Sequence, residues 1–90
     1  MIKRLHLIIS GQVQGVSFRF YAQQKAQKLN LRGFTRNLDD GGVEIVAEGE
    51  GDSLKFFLDW CRQGPSFAQI EEVELEWLDS TGEYKAFEIM

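Results

Sequence analysis

Residues 4 to 10, RLHLIIS, alternate with a period of two, so Leu5, Leu7 and Ile9 share one face of a strand and Arg4, His6 and Ile8 the other. From Phe18 the period lengthens to that of a helix. Phe18, Ala22, Ala26 and Leu29 fall on one side, and Gln23, Gln24, Lys25, Gln27 and Lys28 on the wet side. Asn30 or Gly33 can close this helix. GFTRNL, residues 33 to 38, alternates again, and DDGG, residues 39 to 42, is a strong hairpin signal. VEIVAEGEG supplies the returning strand, with Val43, Ile45 and Ala47 against Glu44, Val46 and Glu48. Asp52 or Ser53 is expected to cap a second helix whose apolar stripe is Leu54, Phe57, Leu58 and Cys61, and Gly64-Pro65 ends it. IEEVELEWL, residues 70 to 78, reads as a strand, DSTGE as a turn, and YKAFEIM as a last short strand.

The resulting order, β-α-β-β-α-β with a small extra strand, predicts an α+β domain of the ferredoxin-like split βαβ type. It has an antiparallel sheet with both helices on one face, over residues 1–90 as a single domain. Strands 1 and 2 of that arrangement run the same way, flanking strand 3. Their C-terminal ends therefore meet one edge of the sheet about 10 Å apart. Residues 11 to 18 and the Arg36-Asn37 pair are brought within side-chain reach of each other.

Composition narrows the class. The 90 residues are 43% hydrophobic and 27% charged, ordinary for a soluble globular protein. The single cysteine, Cys61, excludes an intramolecular disulfide and fits a reducing cytoplasm. No apolar run approaches a membrane span, and the basic-then-apolar start is too short for a good signal peptide. The net charge of −4 is unevenly placed: residues 1 to 38 carry seven Lys/Arg and no acid, and the remainder holds all 14 acids. A basic half suits a small anionic partner, while the acidic whole argues against nonspecific nucleic-acid binding. RNA-recognition domains share this topology, but the aromatic-and-basic strand motif is absent.

The segment GQVQGVSFR, residues 11 to 19, is where chemistry is expected. Gly11 and Gly15 tolerate positive φ, which lets successive backbone N–H groups point into one concavity. The loop feeds a helix N-terminus, where unpaired N–H groups and the helix dipole favour an anion. Arg19, in the first turn, opposes that dipole and calls for a negative partner; its planar fork matches two phosphate oxygens. Gln14, Gly15, Val16, Ser17 and Phe18 are accordingly candidate backbone phosphate ligands. Asn37 is the second candidate, an amide able to donate and accept at once and so to hold a water in a fixed direction; alone it would read as a hairpin cap.

GQVQGVSFR together with RNLDDGGVE resembles the acylphosphatase family, with its G-x-V-Q-G-V-x-F-R loop and N-x-x-D-G-x-V-E turn. The matching positions are Gly11, Val13, Gln14, Gly15, Val16, Phe18 and Arg19, then Asn37, Asp40, Gly41, Val43 and Glu44. Gly64-Pro65 and the closing Phe87-Glu88-Ile89 extend the resemblance over nearly the whole chain. It implies the ferredoxin-like fold and hydrolysis of an acyl phosphate to carboxylate and inorganic phosphate, with no metal and no cofactor. Arg19 and the loop amides would bind the phosphate and Asn37 would orient the attacking water. The departures are Gln12 where a basic residue is frequent, Phe34 where Trp often stands, and Met90 at the end. A soluble cytoplasmic monomer is expected, with no nucleic-acid or membrane partner. The alternative is a noncatalytic binding module for small phosphorylated metabolites such as carbamoyl phosphate.

Other candidates carry less. His6 lies mid-strand, where a solvent-facing residue is expected, and a metal would need several ligands. Cys61 reads as a small buried hydrophobe and lacks the arginine of a cysteine-phosphatase loop, since Phe67 stands there. Ser17 has no sequence-adjacent base. Glu71, Glu72, Glu74 and Glu76 read as a solvated strand face, and Phe20 and Tyr21 as residues that pack or line the pocket.

Overall fold

The computed structural model describes residues 1–15 and 17–90. The elements are β1 (Ile2–Gln12), α1 (Phe18–Lys28), β2 (Arg32–Asn37), β3 (Val43–Glu50), α2 (Gly51–Gln63), β4 (Gln69–Asp79) and β5 (Phe87–Ile89), and the sheet order is β4-β1-β3-β2-β5. β3 is antiparallel to both β1 and β2, with Ile9 and Asn37 each opposite Val43, so β1 and β2 run in parallel and end together. This is the ferredoxin-like split βαβ sheet, with β5 added at one edge.

The period-two faces sort as the sequence predicts. Leu5, Leu7, Ile9, Val43, Ile45 and Ala47 are fully buried against Phe18, Ala22 and Ala26 of α1 and Leu54, Phe57 and Cys61 of α2, so both helices cover one face. A buried side chain of Leu, Ile or Phe is worth roughly 1.5–3 kcal/mol of transfer energy, so this cluster holds the two layers together. Burial also pushes the Cys61 thiol well above its ordinary range, which leaves it a packing residue. Leu29 caps α1 and Asn30 follows at φ 58°, the left-handed residue expected past a helix end. α2 starts two or three residues earlier than its sequence suggests. Glu50 is its N-cap, without a capping hydrogen bond, and Asp52 lies in the first turn rather than before it. Gly64 ends it as expected.

Residues 80 to 86 depart most from the sequence reading, in which a simple turn joins the last two strands. β4 and β5 occupy opposite edges, and β5 pairs in parallel with β2. The connection crosses the far end of the sheet and is held there by one carboxylate. Glu48, 5% exposed, accepts hydrogen bonds from the Thr81 and Gly82 N–H groups (2.8 and 3.1 Å) and from Arg4 Nε (2.8 Å). Arg4 also reaches Thr81 and Glu83 and lies over the Tyr84 ring, which packs on Phe34.

Burial by itself would raise the Glu48 carboxyl, but the Thr81 N–H, the Arg4 guanidinium and the Gly82 N–H outweigh it and hold it below its ordinary 4.5. The unfolded chain therefore binds that proton more readily. The stabilisation is complete above the unfolded value and is lost as pH falls through the folded one. Thermal melts should show the midpoint dropping on acidification below about pH 5. Glu48→Gln should lower the midpoint at pH 7, by about 4–8 °C per kcal/mol lost, and flatten the acid drop. Parallel pH curves for the two proteins would show that Glu48 is not the group responsible.

Candidate active site

The site forms where β1 and β2 end. β1 leaves its pairing with β3 and bulges against β4 at Ser10/Gly11. Gly11 has φ 124°, and a Cβ there would lie 2.1 Å from the Gln69 carbonyl oxygen, so only glycine lets the strand pass over β4 into the loop. Val13 is buried and ties the loop to the core. Gly15 follows at φ 76° and Ser17 at φ 61°, both left-handed. For Ser17, which carries a Cβ, that conformation costs about 1–3 kcal/mol, a strain concentrated in this loop. Val16, between them, lies outside the described residues.

Ser17 is the N-cap of α1, yet its side chain makes no capping hydrogen bond and the first turn contains no acid. Among the described residues no side chain therefore accepts from the first-turn N–H groups, and no acid in that turn offsets the positive end of the helix dipole. Phe18 is buried with its ring 5.5 Å from that of Trp60, which fixes the helix start on the core. Arg19 follows in the first turn of α1. Its NH1 donates to the Met90 carbonyl oxygen at 2.9 Å, and no carboxylate side chain among the described residues pairs with it.

Asn37 arrives from the other strand. Along β2, Gly33, Thr35 and Asn37 oppose the helix-facing Ala47, Ile45 and Val43, so Asn37 projects to the helix side, beneath the start of α1. Its Oδ1 is buried and accepts no hydrogen bond from a described residue. The neighbouring Arg36 goes the other way. It pairs with Glu44 on the open face, so of the Arg36-Asn37 pair only Asn37 joins the site. His6, expected to face solvent, meets the second oxygen of the same Glu44 at 2.8 Å. Burial would raise that carboxyl, but the hydrogen bonds from His6 and Arg36 prevail and keep it low. The cluster has its back to the cleft.

Val13, Gln14, Gly15, Ser17, Phe18, Arg19, Phe20, Asn37 and Ile89 line one cleft of about 290 Å³. Of the residues expected to bind phosphate or orient water, every described one lies there. Three contributors have no signal in the sequence. Ile89 and the Met90 carbonyl arrive only because β5 lies beside β2, and no local pattern announces that pairing. The Gln14 side chain also reaches across the site; Gln14 was expected to contribute only its backbone. A larger cleft of about 340 Å³, lined by Asn30, Arg32, Glu48, Ser53 and Tyr84 among others, lies at the far end of the sheet and has no comparable amide loop.

The acylphosphatase family model matches residues 5–89. The chain belongs to the acylphosphatase family. It is 50% identical to the acylphosphatase of Marinobacter nauticus over 86 residues, covering 96% of this chain and 94% of that one. The crystal structure of acylphosphatase from Bacillus subtilis superposes with a TM-score of 0.94 at 34% identity, covering 100% of this chain and 99% of that one. Full-length HypF, in a phosphate- and nucleotide-bound form, matches with a TM-score of 0.87 at 32% identity, but only over 12% of its length. With full-length acylphosphatases matched end to end, this acylphosphatase is a hydrolase acting on small acyl phosphates, releasing phosphate.

Proposed function

We propose that the cleft holds the phosphoryl end of an acyl phosphate and directs a water onto its phosphorus. What supports this reading is that Arg19, Asn37 and the strained, uncapped loop before α1 line a single cleft, although they come from two strand ends separated in sequence. The loop N–H groups of residues 14 to 18 and the α1 dipole bind the phosphoryl oxygens, and Arg19 adds a bidentate cation. Arg19 exchanges its single bond to the Met90 main-chain oxygen for the phosphoryl oxygens of the substrate, to which two N–H groups of its fork can donate at once. Asn37 Oδ1, an acceptor whose burial without a donor costs about 1–3 kcal/mol, takes a hydrogen bond from the attacking water and fixes its direction.

Few groups suffice because the bond is activated. The leaving carboxylate has a conjugate acid of pKa about 4 and departs without protonation, so no general acid is needed. The water oxygen forms its bond to phosphorus as the bond from phosphorus to the acyl oxygen breaks, and the bonding electrons leave with the carboxylate. The water's proton passes to a phosphoryl oxygen of the substrate. Positioning and charge stabilisation do the rest.

Turnover of benzoyl phosphate with EDTA in ¹⁸O-labelled water tests this directly. Activity should persist in the chelator, with the label in inorganic phosphate. Label in benzoate would place the attack on the carbonyl carbon and remove the in-line role of Asn37. No turnover would leave phosphate binding as the cleft's function.

A further inference from the structure

We infer that the side chain of Gln14 is a positioning residue that holds the phosphate loop and the Asn37 strand at a fixed separation. Its Nε2 donates to the Leu38 carbonyl at 2.7 Å and to the Gly42 carbonyl at 2.8 Å, across 24 and 28 residues of sequence. Both partners accept, so only the amide nitrogen can face them, and both of its hydrogens are used. The two carbonyls close the β2–β3 turn. Leu38 N–H donates to Gly42 O at 2.8 Å, and Gly41 N–H to Leu38 O at 3.2 Å. Leu38 is the residue after Asn37. One side chain of the loop thus grips the turn one peptide away from the amide that aims the water. Nothing else among the described hydrogen bonds joins residues 13 to 17 to that turn. β1 and β2 themselves are separated by β3, so the sheet alone sets their spacing only through a third strand.

The inference rests on Asn37 being the water-orienting group. Gln14 need not touch the water or the phosphate through its side chain; it acts by setting where Asn37 stands relative to the loop N–H groups. A misplacement of about 1 Å at such a distance can cost 10²-fold in rate. Ground-state phosphate binding, carried by the loop amides and Arg19, does not depend on that separation.

Gln14→Met keeps the length of the side chain and removes both donations. The full chain carrying it should show kcat on benzoyl phosphate reduced by about 10–100-fold, with inhibition by inorganic phosphate within about threefold of the parent. The ¹H–¹⁵N spectrum should show the Asn37 side-chain amide and the Gly41 and Gly42 backbone amides displaced. A stabilising contact alone would lower the melting midpoint and leave the kcat of the folded protein unchanged. The inference is overturned by a kcat within twofold of the parent, by phosphate affinity falling in step with kcat, or by an unmoved Asn37 amide. If Gln14→Met does not fold, Gln14→Leu makes the same comparison, since it too is uncharged and cannot donate to either carbonyl. Failure of the parent to hydrolyse benzoyl phosphate would count against the hydrolytic reading itself, and the Asn37 amide shift would still decide whether Gln14 sets the geometry.

Discussion

Asn37→Ala should lower kcat on benzoyl phosphate by about 10²–10³-fold, corresponding to about 2.7–4 kcal/mol of lost transition-state stabilisation, while inorganic phosphate still binds. Asn37 stands on the helix-facing side of β2 with its acceptor oxygen buried and unmatched among the described residues, whereas the loop amides and Arg19 follow the end of β1. Removing the amide therefore takes away direction and leaves the anion socket. Product inhibition by phosphate, measured beside kcat, separates the two. A collapse of phosphate affinity in the variant would make Asn37 a ligand of the phosphate instead.

The second large effect is expected at Arg19. Arg19→Ala should reduce kcat/KM by at least about 10³-fold, the scale on which a single arginine acts in phosphoryl transfer. Arg19→Lys should recover little of it. An ammonium is a point charge on a flexible stem and cannot give two parallel N–H donors to two oxygens. In the structure NH1 donates to the Met90 main-chain oxygen while the side chain lines the cleft, so the guanidinium is already at the site before substrate arrives. Near-parental kcat/KM for the lysine variant would show that charge alone is required and that the fork geometry is irrelevant.

Much of this was legible in the residues because the rules involved are local. Alternation in RLHLIIS and VEIVAEGEG fixed which faces of β1 and β3 are buried, and DDGG placed the turn between β2 and β3. The topology then brings two strand ends to one edge. Glycines and an arginine at a strand-to-helix junction are a local pattern that suits an anion. What escaped the sequence depends on distant partners. β5 is a three-residue strand whose neighbour β2 lies some fifty residues earlier in the chain, so neither its parallel pairing nor its approach to Arg19 has a local signature. The Gln14 side chain and the Glu48 carboxylate likewise act on segments 24 to 34 residues away. Arg36 and Asn37 look equivalent in sequence, yet one step along a strand sends them to opposite faces.

The crossing of residues 80 to 86 has a practical outcome for anyone handling the protein. It returns the chain to the sheet edge beside α1, so that Met90 meets Arg19, while Met1 sits near Glu50 at the other end of a molecule 32 Å long. An affinity tag or fluorescent reporter appended after Met90 would begin at the mouth of the cleft and compete for the guanidinium. The same fusion joined ahead of Met1 would hang from the opposite pole, clear of incoming substrate.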